Sequence, residues 1–296
     1  MYKQIDSNKR KTIVLISGFL VFIIGLFWIF SQVFNNPAFL YVGLAIGIIQ
    51  PIVAYYYSDK VALSIARAEK VDKKTAPKLY RMVENLCITS NLPMPKLYVS
   101  PDPSINAFAT GRDPQHAVVC VNIGALEKLD DNELEGVLAH ELSHVGNYDI
   151  RVMTVVVVLV SIIALVSDIF LRMTFWGGSD DEDNSSFGLI MLIAALLLSI
   201  IAPLMAMVVQ AAVSRKRESL ADASGVLLTR YPEGLASALS KIAGDKTPAQ
   251  TASAATAHLY ISMPAANPRK GSWLLRLFDT HPPIEDRIKA LKEMSL

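Results

Sequence analysis

Between Thr12 and Ser58 the chain carries no Asp, Glu, Lys or Arg. A helix needs ~20 apolar residues to cross the hydrocarbon core of a bilayer. Asn35-Asn36-Pro37 breaks the run into two stretches near that length, which predicts two spanning helices joined by a tight turn. The first stretch is longer than the ~7–15-residue core of a secretory signal and no small-residue cleavage site follows it, so it reads as an uncleaved anchor. A second apolar region runs from Val152 to about Trp176, and a third, charge-free from Asn184 to Ser214, follows the acidic loop Asp180-Asp181-Glu182-Asp183. These form a second hairpin, whose first arm is the weakest span because Asp168 and Arg172 interrupt it and must pair or snorkel. The composition agrees: 52% of the 296 residues are hydrophobic, 19% are charged and the mean hydropathy is +0.37.

Basic residues set the sidedness. Lys9, Arg10 and Lys11 precede the first span and Arg215, Lys216 and Arg217 follow the last, whereas the turn between the first pair is uncharged. By the positive-inside rule the N-terminus, the segment 59–151 and the segment 215–296 lie in the cytosol. The chain therefore divides into an N-terminal membrane hairpin (1–58), a polar segment (59–151), a second membrane hairpin (152–214) and a C-terminal polar segment (215–296). Cys87 and Cys120 fall on the reducing side and read as two reduced structural cysteines. A net charge of +1 and a pI near 7.7 give no sign of a nucleic-acid surface.

The polar segments read as α+β, mainly helical. Leu79, Met82, Val83 and Leu86 recur at helical spacing between Lys74 and Asn91. Strands are predicted at Lys96–Val99, Ser104–Thr110 and His116–Val121, with Gly111-Arg112-Asp113-Pro114 as a turn. Asp130 as cap and Glu133 three residues on start a helix that runs to about Gly146. After the last apolar region a helix continues through Arg215 to about Leu228; 271–278 is a connector, and a short helix spans Pro283–Lys292.

His140-Glu141-Leu142-Ser143-His144 falls in the last two turns of the Asp130 helix. Two histidines four apart share a helix face and can hold one divalent metal, with Glu141 beside its open position. A metal so held lowers the pKa of a bound water towards ~7, which suits hydrolysis of a peptide bond. The polar helix start keeps this site out of the bilayer, yet Met153 begins an apolar run close behind, so the site lies near the membrane surface. A third ligand is needed, and Glu218 and Asp222 lie at i and i+4 on one helical face. One of the pair can bind metal while the other orients a histidine; the alternative is a solvated face paired with Arg215 or Lys216.

His140-Glu141-x-x-His144 beside a membrane hairpin, Ser214-Arg215-x-x-Glu218-x-x-x-Asp222 and Thr280-His281-Pro282-Pro283-x-x-x-Arg287 resemble the HtpX family of membrane zinc metalloproteases. The Pro103–Phe108 and His258–Ile261 stretches and the four apolar segments are similar too, so the resemblance covers essentially the whole chain. It implies a zincin-like cytosolic catalytic domain with one Zn2+ per chain, Glu218 as third ligand and Glu141 as base. It also implies endoproteolysis of misfolded or damaged membrane proteins in the bacterial inner membrane. The partners to expect are polypeptide substrates, the lipid bilayer and other quality-control proteases. The CAAX prenyl proteases are similar at the site but have more spanning segments.

Around the metal, Asp149 can hold a ligand histidine's second nitrogen or end the helix at the membrane surface. His281 and Arg287 can donate to the oxyanion formed at the scissile carbonyl, as comparable residues do in the similar prenyl proteases, or form a turn capping the last helix. His116 and His258 read as strand and packing residues. Asn106-Ala107-Phe108 lies on a candidate edge strand to which an extended substrate can add, or is an ordinary sheet strand. Among the rivals, an intramembrane protease conflicts with the acidic run from Asp130 to Glu135, and a transporter with the near absence of charge in the spans beyond Asp168. A zinc-stapled adaptor without activity is the remaining one.

Overall fold

A computed structural model describes residues 2–33, 35–156, 215–251, 259–261 and 282–294. The second hairpin beyond its first turns, His258, the 271–278 connector and His281 lie outside the described residues. The chain opens with two helices, α1 (Tyr2–Val33) and α2 (Ala38–Ile65), packed as a hairpin. Asn35 turns the chain with φ 48°, and the Asn36 side chain accepts from the Ala38 N–H at 2.9 Å, occupying one of the free donors at the start of α2. A Cβ at Gly43 would strike Phe27, so that glycine lets the helices touch. Among the described residues, α1 holds the one helical stretch long and apolar enough to cross a membrane, Arg10–Ile29, with mean hydropathy 2.6. The apolar part of α2, Ala38–Ile49, is shorter. Ile13, Val21, Tyr41 and Ile48 are each more than half exposed, an apolar surface wider than a water-facing hairpin tolerates.

A four-stranded mixed sheet follows, in the order β1-β2-β4-β3. Strand β1 (Glu69–Val71) pairs antiparallel with β2 (Lys96–Ser100), β2 pairs parallel with β4 (Val118–Asn122), and β3 (Ala107–Thr110) pairs antiparallel with β4. Strand β1 was not foreseen, because Glu69-Lys70-Val71 is too short and too charged to show an alternation. Strand β4 is buried throughout, and its side chains sort by the two-residue period: Val119 and Val121 face one core, Val118 and Cys120 the other. His116 is not in a strand. Pro114 starts a 3-10 turn over Pro114–His116, and the Asp113 side chain caps it by accepting from the His116 N–H at 2.9 Å and pairing with the half-exposed ring.

The first core lies between the sheet and helices α3 (Pro77–Ser90), α5 (Asp131–Gly146), α7 (Pro232–Gly244) and α8 (Ile284–Glu293). Short helix α4 (Ile123–Lys128) links β4 to α5, and α6 (Arg215–Thr229) packs along α5. The second core is the junction with the apolar segments: Ala62, Leu63 and Ala66 from α2 meet Phe108, Cys120, Val152, Met153 and Val156. The sheet is thus covered on one face by the polar domain and on the other by the C-terminal end of α2 and residues 152–156.

Candidate metal centre

Helix α5 begins where the sequence indicated. Asp130 accepts from the Glu133 N–H at 3.0 Å while the Glu133 carboxylate accepts from the Asp130 N–H at 2.8 Å, a reciprocal cap. Its body is buried almost to the end because α6, α7, α3 and β3 all pack on it. A Cβ at Gly225 would stand 3.1 Å from the His140 backbone nitrogen, so α6 can lie close enough to α5 for Glu218 to reach both histidines.

The Nε2 atoms of His140 and His144 are 3.2 Å apart. Glu218 Oε1 lies 3.5 Å from His144 Nε2 and Glu218 Oε2 3.6 Å from His140 Nε2. A tetrahedral divalent ion with ligand bonds of about 2.0–2.2 Å sets its donors roughly 3.3–3.5 Å apart, so these three side chains fit one metal ion. The ring orientations are fixed from behind. His140 Nδ1 faces Asp222 Oδ1 at 2.9 Å and His144 Nδ1 faces Asp149 Oδ2 at 3.1 Å, so each Nδ1–H has a carboxylate acceptor and both Nε2 atoms turn to the common point. Arg287 forks onto Asp222 at 2.9 and 2.7 Å; its Nη1 donates to the Ile261 carbonyl at 2.9 Å and stands 3.6 Å from Glu218 Oε2. Arg217 Nη1 holds Asp149 Oδ1 at 3.2 Å.

Electrostatics suit a cation. Burial favours neutral carboxyls, but the His140 hydrogen bond and Arg287 overturn that for Asp222, and His144 and Arg217 do so for Asp149, holding both below the usual carboxylate range. Burial likewise opposes charge on His144, yet the hydrogen bond to Asp149 and the charge of Glu218 push its pKa up to about 9. The pocket draws positive charge to the place where the donors converge. Glu141 is buried, with its pKa raised by that burial to about 7, and Oε2 accepts from the Ala109 N–H of β3 at 2.8 Å.

The fold thus gathers His140, Glu141, His144, Asp149, Glu218, Asp222 and Arg287 into one buried cluster. Asn106 and Ala107 sit at the start of β3, the sheet's edge. The Asn106 Oδ1 accepts from the Ile261 N–H at 3.1 Å, its buried Nδ2 has no hydrogen-bond partner among the described residues, and Ala107 pairs with Val121. Arg217 stands in the basic flank after the last apolar run, yet it is 3% exposed and ion-paired to Asp149. Asn8, which no pattern singled out, donates to Asp149 Oδ1 at 2.8 Å.

Residues 73–295 match Peptidase family M48. The chain belongs to that family. This M48 peptidase is 46% identical over 294 residues to a protein named Protease HtpX homolog from Tropheryma whipplei (strain Twist), covering 99% of this chain and 98% of the relative. It is 43% identical over 301 residues to the Protease HtpX homolog of Ligilactobacillus salivarius (strain UCC118), covering 99% of this chain and 100% of the relative. Among solved structures, S. mikatae Ste24p overlaps 98% of this chain and 67% of its own at 17% identity, with a TM-score of 0.46, too low a score to carry weight. As an M48 metalloprotease the chain acts on polypeptides and requires a metal, for which His140, His144 and Glu218 are the fitting donors among the described residues.

Proposed function

We propose that the chain is a membrane-anchored zinc endopeptidase that cleaves misfolded or damaged membrane proteins at the cytosolic face of a bacterial inner membrane. The observation that carries this reading is the convergence of His140 Nε2, His144 Nε2 and a Glu218 carboxylate beside the buried Glu141, in a domain rooted on an apolar helical hairpin. Two membrane hairpins (1–58 and 152–214) then flank the polar segments 59–151 and 215–296, which together build the site.

His140, His144 and Glu218 would hold the zinc ion. A zinc ion bound there would lower the pKa of a water molecule and offset negative charge on the scissile carbonyl oxygen. Glu141 is the group that would take a proton from the attacking water and deliver it to the leaving amine; the Ala109 N–H fixes one of its oxygens, so the carboxylate has one orientation. Among the described residues β3 is the buried terminal strand of the sheet on the Glu141 side, and an extended substrate added along it would gain main-chain bonds with little sequence preference. Asn106 and Ala107 then set where that strand begins. Arg287 is already committed to Asp222 and Ile261, which favours a role in holding Asp222 and Glu218 over direct contact with the oxyanion. His281 is the remaining candidate for oxyanion contact.

Cleavage of a misfolded membrane protein co-reconstituted in vesicles tests this reading. Zinc-dependent cleavage, abolished by chelation and confined to the face that carries residues 59–151, is the expected result. Zinc bound without cleavage would leave the adaptor reading.

A further inference from the structure

Helix α5 ends in a reversal that no glycine eases. Asn147 closes the helix, Tyr148 takes φ 60°, and Asp149 returns to place Oδ2 3.1 Å from His144 Nδ1. A non-glycine residue in the left-handed region persists where its surroundings over-determine it. Asn8 supplies that constraint from the other end of the chain. Its Nδ2 donates to the Asn147 carbonyl at 3.0 Å and to Asp149 Oδ1 at 2.8 Å, one bond on each side of Tyr148. Its Oδ1 accepts from Arg217 Nη1 at 3.3 Å, the same nitrogen that holds Asp149. Asn8 is 1% exposed, and among the described residues the buried Nε and Nη2 of Arg217 have no hydrogen-bond partner while its Nη1 bonds to Asn8 and Asp149. A buried amide with both ends engaged fixes the register of α1 against the turn.

We propose that Asn8 is a positioning residue of the metal centre: from α1, outside the matched residues 73–295, it pins the 147–149 turn so that Asp149 fixes the His144 ring. The proposal rests on the metal-binding reading above. It makes the N-terminal hairpin part of the site as well as an anchor, so displacing α1 loosens a metal ligand.

The test uses the full chain in detergent, with zinc affinity measured by competition against a chromophoric chelator and ring geometry followed in the absorption spectrum of the cobalt-substituted protein. Asn8→Ala should bind zinc about tenfold more weakly, the low end of what loss of an outer partner does to a metal site, with an altered cobalt spectrum. Asn8→Asp keeps the size but sets a carboxylate against Asp149, and should weaken zinc binding likewise. Thr12→Ala removes the hydroxyl that donates to the Asn8 carbonyl on the same helix and that, among the described residues, makes no hydrogen bond to the turn, and it should bind zinc as wild type does. Because Asn8 acts through Asp149, adding Asn8→Ala to Asp149→Asn should cost no more than Asp149→Asn alone. Wild-type affinity and spectrum in both Asn8 variants overturn the proposal. So does an equal loss in Thr12→Ala, or losses that add in the double variant. A wild-type chain that binds no zinc overturns the metal centre itself, and this inference with it.

Discussion

The two histidines of the metal centre are held by arms of the same design and different origin. His140 leans on Asp222, which is forked by Arg287; His144 leans on Asp149, which is held by Arg217. The first arm is built from α5, α6 and α8, inside the polar domain, and Arg287 also reaches towards Glu218. The second sits on the turn that leads into the apolar segments and is locked by Asn8 from the N-terminal helix. Equal chemistry at the ligand therefore conceals unequal support: one arm depends on helix packing around a core, the other on where the membrane-proximal elements lie.

Cutting each arm at its arginine should show the asymmetry most strongly. Arg287→Ala strips the fork from buried Asp222, which keeps only its His140 contact among the described residues, and should destabilise the chain by about 3–5 kcal/mol, the usual cost of removing one partner from a buried pair. Arg217→Ala leaves Asp149 bonded to both Asn8 and His144, so its cost should be smaller, roughly 1–3 kcal/mol, that of an impaired buried hydrogen-bond network. Denaturant unfolding of both variants in one detergent measures the order. Equal losses, or the reverse order, would break the comparison.

A gentler pair sharpens it at the metal. Asp222→Asn and Asp149→Asn each preserve shape while weakening the grip on Nδ1–H, and each should lower zinc affinity about 10–100-fold. Moving the metal-loaded protein between thin and thick bilayers should alter affinity further in the Asp149 variant and leave the Asp222 variant alone. Equal responses would show that the membrane helices do not reach the His144 arm.

How far sequence led follows the same division. The His140/His144 spacing, the Asp130/Glu133 cap and the Glu218/Asp222 pair are all local helical periodicities, and each reappears in the fold as a local geometry. Arg287 was legible as a residue of interest but not in its use, because its partners come from α6 and from Ile261, far along the chain. Arg217 stands in a basic triplet that a membrane flank explains fully, so nothing marked it as buried. Asn8 lies in a polar N-terminal stretch without any period, and only long-range packing gives it a function. Strand β1 was missed for a related reason, since three half-charged residues acquire strand character only from the edge they pair with.

The most direct measurement is zinc content and turnover of Glu141→Gln and Glu218→Gln, purified side by side. Glu141→Gln removes the base and keeps the donors, so it should hold one zinc per chain and retain only a small remnant of activity. Glu218→Gln replaces an anionic donor with a neutral amide, so zinc affinity and turnover should fall together. Normal zinc and normal turnover in the Glu218 variant would contradict the His140, His144 and Glu218 metal centre, and full turnover in the Glu141 variant would contradict the hydrolytic role assigned to it.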